Sequence, residues 1–157
     1  MHESVTIYIE APPEPIWDLL SDVTKIGRYS PETFEAQWLD GVTAPAVGAK
    51  FRGHVKRNGI GPVYWTTATV SDCVPGRSFA FGIGPSDKPL SVWGYKLEHD
   101  GSGTLVTEYF DLSPRWWLRL YWTLWGWSRG KVNREGMRTT LERVKSEVEG
   151  SLPGSAN

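Results

Sequence analysis

Apolar and polar positions alternate at the start of this chain. Val5, Ile7 and Ile9 fall on one side of residues 3–10 and Thr6 and Tyr8 on the other, the period of a strand. Ala11-Pro12-Pro13 stops the run and suits the entry to a helix. Glu14–Leu20 then places Ile16, Trp17, Leu19 and Leu20 along one helical side, and Lys25–Tyr29 reads as a second short helix ended by Ser30-Pro31. From there to residue 112 the pattern is strand and turn. Strands are expected near 33–39, 49–57, 63–74, 77–84, 89–99 and 103–112, separated by Gly-, Pro-, Asn- and Asp-rich turns such as Asn58-Gly59, Pro75-Gly76 and Asp100-Gly101. Ser113-Pro114 supplies an N-cap and a first helical residue. Val132, Met137, Leu141, Val144 and Val148 then recur at helical spacing up to Gly150.

This order predicts an α+β fold: a seven-stranded curved antiparallel sheet wrapped around one long C-terminal helix, with two short helices after the first strand. A curved sheet and a single helix leave space between them, so an apolar pocket is expected there. Strand parity proposes its wall. Phe51 and Val55 share one face of the second long strand, Phe79, Phe81 and Ile83 that of another, and Trp93, Tyr95 and Leu97 that of a third. Trp65 shares a face with Thr67 and Thr69, which suggests an aromatic wall bearing hydroxyls. Val106, Glu108 and Phe110 share a face, which sets a carboxylate between two apolar neighbours.

Composition narrows the class. The 157 residues suit one domain, taken as 1–149 with a disordered tail at 150–157. Formal net charge is −1, which gives no broad attraction to nucleic acid, and no nucleic-acid partner is expected. Cys73 is the sole cysteine, and the N-terminus has neither basic nor apolar signal character, so a cytoplasmic location is expected. Three scattered histidines give no metal-ligand spacing, and no phosphate-binding or hydrolase motif is present, so neither metal nor cofactor is expected. His54 is expected on the outer face.

Nine tryptophans are the outlier, and five of them, Trp116, Trp117, Trp122, Trp125 and Trp127, fall within twelve residues at the start of the last helix. That block is apolar on every side, whereas a helix on one sheet buries one stripe. The excess predicts a contact outside the domain, a peripheral membrane or homodimer contact through Trp116, Trp117, Trp122 and Trp127, or a gate over the pocket. Gly126 and Gly130 allow a bend between the aromatic and amphipathic halves.

Several stretches together resemble the SRPBCC superfamily, also called START-like or Bet v 1-like, and within it the bacterial polyketide cyclase/dehydrase-type subgroup. They are Ile7-Tyr8-Ile9-Glu10-Ala11-Pro12-Pro13-Glu14-Pro15-Ile16-Trp17-Asp18-Leu19-Leu20-Ser21-Asp22, Tyr29-Ser30-Pro31-Glu32, Val47-Gly48-Ala49-Lys50-Phe51-Arg52-Gly53, Pro75-Gly76-Arg77-Ser78-Phe79-Ala80-Phe81, Trp93-Gly94-Tyr95-Lys96-Leu97-Glu98 and Thr104-Leu105-Val106-Thr107-Glu108. The resemblance spans roughly residues 3–149. It implies a helix-grip fold with a hydrophobic ligand cavity, and it carries over no catalytic motif residue by residue.

Three functions follow as expectations. The first is binding of a hydrophobic small molecule, lipid, polyketide or isoprenoid-like, in the cavity. Its contacts would be Phe51, Val55, Trp65, Thr67, Phe81, Trp93, Tyr95, Glu108, Phe110, Tyr121, Trp125 and Met137. The second is an aromatase/cyclase- or dehydratase-type enzyme, with Glu108, Tyr95 or a threonine moving protons. It requires at least two polar groups converging on one point. The third is an interaction protein working through the aromatic helix at 116–127. Glu108 is the candidate acid/base group; its alternative reading is a structural carboxylate held by Arg, Tyr or a backbone donor.

Overall fold

The structure, a computed structural model, describes residues 1–56 and 62–151, except the side chains of 119, 121, 122 and 125–129. Strands β1 (His2–Ile9), β2 (Thr33–Trp38), β3 (Lys50–Val55), β4 (Tyr64–Val74), β5 (Ser78–Ile83), β6 (Ser91–Asp100) and β7 (Gly103–Leu112) form one sheet. Helix α1 (Pro13–Ser21) and a short 3-10 helix (Val23–Arg28) follow β1, and α2 (Trp116–Gly150) closes the chain. The spatial order is β1-β7-β6-β5-β4-β3-β2, antiparallel throughout, so five hairpins run in sequence and β1 returns to pair with β7. This is the curved sheet and long helix of the helix-grip fold.

Local chemistry explains the boundaries. Pro13 begins α1, and Trp17 on its buried face donates its indole N–H to the Ser78 carbonyl at 2.8 Å, pinning the helix to β5. The Asp22 side chain accepts from the Thr24 N–H at 3.1 Å and caps the 3-10 helix. The second short helix expected at Lys25–Tyr29 is this 3-10 segment, Val23–Arg28. Helix α2 starts at Trp116, three residues after the expected cap at Ser113, because the Ser113 N–H is bonded to the Leu90 carbonyl at 2.9 Å. It runs without a break through Gly126 and Gly130. Gly150 belongs to the helix and Ser151 caps it. The remainder of the expected tail, 152–157, lies outside the described residues, as does the Asn58-Gly59 turn.

The elements cover the concave face from different sides. Helix α2 packs chiefly on β1, with lesser contact to β7 and α1; the 3-10 helix lies on β2, and α1 lies on β5 and β6. The core runs between them, through Ile9, Ile16, Leu20, Phe79, Val106, Met137, Leu141 and Val144. At the far end of α2, Lys145 donates to the Tyr8 carbonyl at 3.2 Å and pairs with Glu149 at 2.6 Å, while Glu149 accepts the Glu10 N–H at 2.9 Å. The Lys145 hydrogen bond, foremost, holds the Glu149 carboxyl below the usual glutamate range.

Candidate functional site

The inward face of β7 carries the site. Thr104, Val106, Glu108 and Phe110 are all buried there, with Glu108 only 4 % exposed. Register sets its neighbours: Glu108 lies opposite Tyr95 on β6 and Val5 on β1. The Tyr95 hydroxyl donates to Glu108 Oε1 at 3.3 Å, and Glu108 Oε2 is buried with no hydrogen-bond partner. Burial pushes the Glu108 carboxyl well above the usual glutamate range, opposed by the Tyr95 hydrogen bond. Tyr95 is itself buried, and burial, then the Glu108 charge, raises its phenol well above the usual value.

Tyr29 completes the cluster from the end of the 3-10 helix. It is buried, its hydroxyl donates to the Leu20 carbonyl at 3.4 Å, and burial followed by the Glu108 charge raises its pKa as well. Three proton-bearing groups from three elements therefore share one interior. All three favour their neutral forms, because a charge there would lack solvation.

Glu3 and Asn133 were not anticipated from the sequence. Glu3 sits on the inward face of β1, opposite Phe110, with one carboxylate oxygen, Oε2, buried and unpartnered. Its Oε1 lies 3.9 Å from Arg134 and so close to α2 that a Cβ on Gly130 would approach it to 2.7 Å. Gly130 thus admits a carboxylate under the helix, which accounts for a glycine there without a bend. Asn133 is buried one turn further on. The alternation Glu3-Val5-Ile7-Ile9 already put Glu3 in phase with the core side of β1; its place at the chain start hid it.

Of the expected wall, Phe51, Val55, Phe81, Tyr95, Glu108, Phe110 and Met137 are buried on the core side. Trp93 is half-buried against the same cluster. These rings pack on one another: Phe51 meets Phe81 edge-on at 5.1 Å and Trp38 at 5.7 Å, and Trp93 meets Phe110 at 4.7 Å. Clefts lined by described residues include two beside α2. One, of about 450 Å³, runs between β1 and α2 past Ser4, Thr6, Lys131, Arg134 and Arg138. The other, of about 380 Å³, lies beside the start of α2 against Pro89, Val92, Leu112 and Arg115. Both border the sheet–helix seam rather than fill it.

Trp65 and Thr67 are corrections. Both are exposed, on the outer face of β4. The register with β3 pairs Phe51 with Ala68 and Gly53 with Thr66 on the inside, and Arg52 with Thr67 and His54 with Trp65 on the outside. The small apolar pair Ala68 and Val70 fixes which side faces the core, and the large indole is accommodated outside. There it stacks on His54 at 4.2 Å and lies under the Arg52 guanidinium at 4.4 Å. Thr69 follows Trp65 outward and hydrogen-bonds Ser86 at 3.0 Å. His54 does lie on the outer face, paired with Glu35. Tyr121, Trp122, Trp125 and Trp127 have side chains outside the described residues. Cys73 is half-buried, and burial raises its thiol pKa, which disfavours the reactive thiolate.

Among the described residues, no cluster of His, Cys, Asp and Glu is placed to hold a metal ion, and no helix is long and apolar enough to cross a membrane. Solved structures share the fold. A Thermus thermophilus protein superposes with a TM-score of 0.72 at 15% identity, covering 98% of this chain and 100% of the other. A Polyketide_cyc-like protein of Corynebacterium glutamicum gives 0.61 at 24% identity, covering 96% and 94%. An AHSA1-like protein of Aeromonas hydrophila gives 0.64 at 18% identity, again covering 96% and 94%. No curated protein matches the sequence. The family described as polyketide cyclase / dehydrase and lipid transport matches residues 2–149, nearly the whole chain, and the chain belongs to that family, within the SRPBCC or Bet v 1-like superfamily.

Proposed function

We propose that this protein binds a hydrophobic small molecule, lipid, polyketide or isoprenoid-like, between the sheet and α2, in the cytoplasm. The observation that carries the reading is the buried Glu108 carboxyl. One of its oxygens takes the Tyr95 hydroxyl and the other has no partner in an apolar wall. A buried polar group left unsatisfied is destabilising by about 1–3 kcal/mol, so its retention favours a role in holding something. A neutral carboxyl with Tyr95 on Oε1 keeps its proton on Oε2, where it donates to a ligand carbonyl or hydroxyl. Trp93 and Phe110 would supply the apolar contact beside it, and the half-burial of Trp93 supports an entrance on that side.

The test is ligand titration against variants that separate hydrogen bonding from charge. Glu108→Gln keeps a neutral donor and should retain binding within a few-fold. Glu108→Leu removes the donor and should weaken it by about tenfold or more. Equal affinity in all three proteins would remove Glu108 from the site.

A cyclase- or dehydratase-type reaction is the second reading. It is favoured by the Tyr95–Glu108 hydrogen bond, which brings two proton-bearing groups to one point, with Tyr29 buried in the same interior. It predicts turnover of a poly-carbonyl compound that Glu108→Gln abolishes while binding survives. The exposed start of α2 is read as the surface for a contact outside the domain, with a membrane or a second copy.

A further inference from the structure

The reading of the start of α2 as a contact surface can be given a partner. We propose that the first half of α2 docks the protein on an anionic bilayer, with its aromatic tip in the interface and a basic collar against the headgroups. Trp116 is 76 % exposed and Trp117 46 %, and Leu120 and Leu124 are exposed beside them. Residues 116, 120 and 124 follow one another at i, i+4 spacing, so their side chains form one stripe, with Trp117 along its flank. A helix that turned this stripe to its own sheet would bury it; here the stripe points away.

The same side of the helix becomes cationic further along. Seven residues are close to two helical turns, so Lys131 follows Leu124 and Arg138 follows Lys131 on that side, with Arg134 between them. All three are exposed and border the 450 Å³ groove, which Glu135 also lines and whose opposite wall offers Ser4 and Thr6; Lys131 lies 4.0 Å from Glu135 and Arg134 3.9 Å from Glu3, while Arg138 extends the collar. Between residues 115 and 138 the sequence holds six basic residues (Arg115, Arg119, Arg129, Lys131, Arg134 and Arg138) against one acidic, Glu135, in a chain whose net charge is −1. The sequence around and behind the aromatic tip is therefore locally basic.

This order along the axis matches the layers of a membrane surface. Tryptophan favours the zone where hydrocarbon meets headgroups. The rise from Leu124 to Lys131 is roughly 10 Å, which sets the collar at headgroup level when the tip is inserted. The groove between Arg134, Arg138, Ser4 and Thr6 then seats a lipid phosphate. A second copy fits less well, because an isologous contact would offer each cation only the same basic and aromatic face.

Co-sedimentation with phosphatidylcholine vesicles, with and without phosphatidylglycerol, tests the proposal, with sedimentation velocity of the lipid-free protein alongside. The wild-type chain should pellet with the anionic vesicles, its tryptophan emission quenched by brominated lipid, and not with the neutral ones. Trp116→Ser/Trp117→Ser should lose insertion and quenching. Lys131→Gln/Arg138→Gln should bind about 25-fold more weakly, at about fivefold for each charge, and added salt should weaken binding too. Inorganic phosphate at matching concentration should not release the protein. All four positions are exposed, so an unchanged circular dichroism spectrum is expected of each variant. Absence of pelleting, pelleting indifferent to both double variants, or a lipid-free dimer that Trp116→Ser/Trp117→Ser dissolves would each overturn it. A co-purifying hydrophobic compound in a protein that ignores vesicles would leave the ligand reading standing and remove the bilayer.

Discussion

Glu108 illustrates how a single position couples stability to chemistry. Burial raises its folded pKa above the ordinary 4.5, so the folded protein keeps a proton that the unfolded chain releases. The stability this proton confers is fully present below the unfolded value and is lost as pH rises through the raised folded value. Glu108→Gln should therefore flatten the fall in stability on the alkaline side of pH 4.5, and denaturant melts at stepped pH would show it. An unchanged pH profile would mean that Glu108 titrates normally. Tyr95→Phe removes the donor to Oε1 and should cost about 1–3 kcal/mol; a loss well below that range would mean the 3.3 Å contact carries little. The inward parity of Glu108 was legible because Val106 and Phe110 flank it at the strand period. Trp65 misled for the converse reason: its size suggested burial, while the weaker apolar signal of Ala68 and Val70, in phase with Phe51 across β3, decided the face. At Trp65 the expected outcome is that substitution by Thr leaves ligand affinity unchanged and costs about 0.5–1 kcal/mol from the lost Arg52 contact. Thermal melts and titration of the variant check both.

At the scale of the element, α2 is two helices in one. Its second half presents Met137, Leu141, Val144 and Val148 to the sheet, all buried, while its first half holds exposed Trp116, Trp117, Leu120 and Leu124. Periodicity made the second half plain and left the first ambiguous, since residues apolar on every side carry no phase. Gly130 could not be read either, because its reason is a carboxylate arriving from the opposite end of the sequence. The two halves should respond differently to truncation. Leu141→Ala should cost about 2–5 kcal/mol as a core cavity, whereas Leu120→Ala should stay within about 0.5 kcal/mol. Chemical denaturation of the two variants distinguishes them, and similar losses at both positions would show that the first half is also core.

For the whole molecule, the strand and turn pattern led to the correct fold because each hairpin is local and its turn residues punctuate it. The return of β1 to β7 and the seating of the 3-10 helix on β2 are long-range, and only three dimensions reveal them. The same limit applied to the site. The sequence offered Glu108 and Tyr95, but the arrival of Tyr29 and Glu3 depends on where the 3-10 helix and the returning β1 come to lie. What results is an apolar interior with Glu108 of β7 held by Tyr95 of β6, flanked by an exposed aromatic helix end with basic residues behind it. The central claim is that this interior holds a hydrophobic molecule through Glu108. Organic extraction of purified wild-type and Glu108→Leu proteins, followed by mass spectrometry, tests it most directly. A hydrophobic compound bearing an oxygen acceptor should co-purify with the wild type and be depleted in the variant. Extracts empty in both proteins, or carrying the same compound in equal amount, would contradict it.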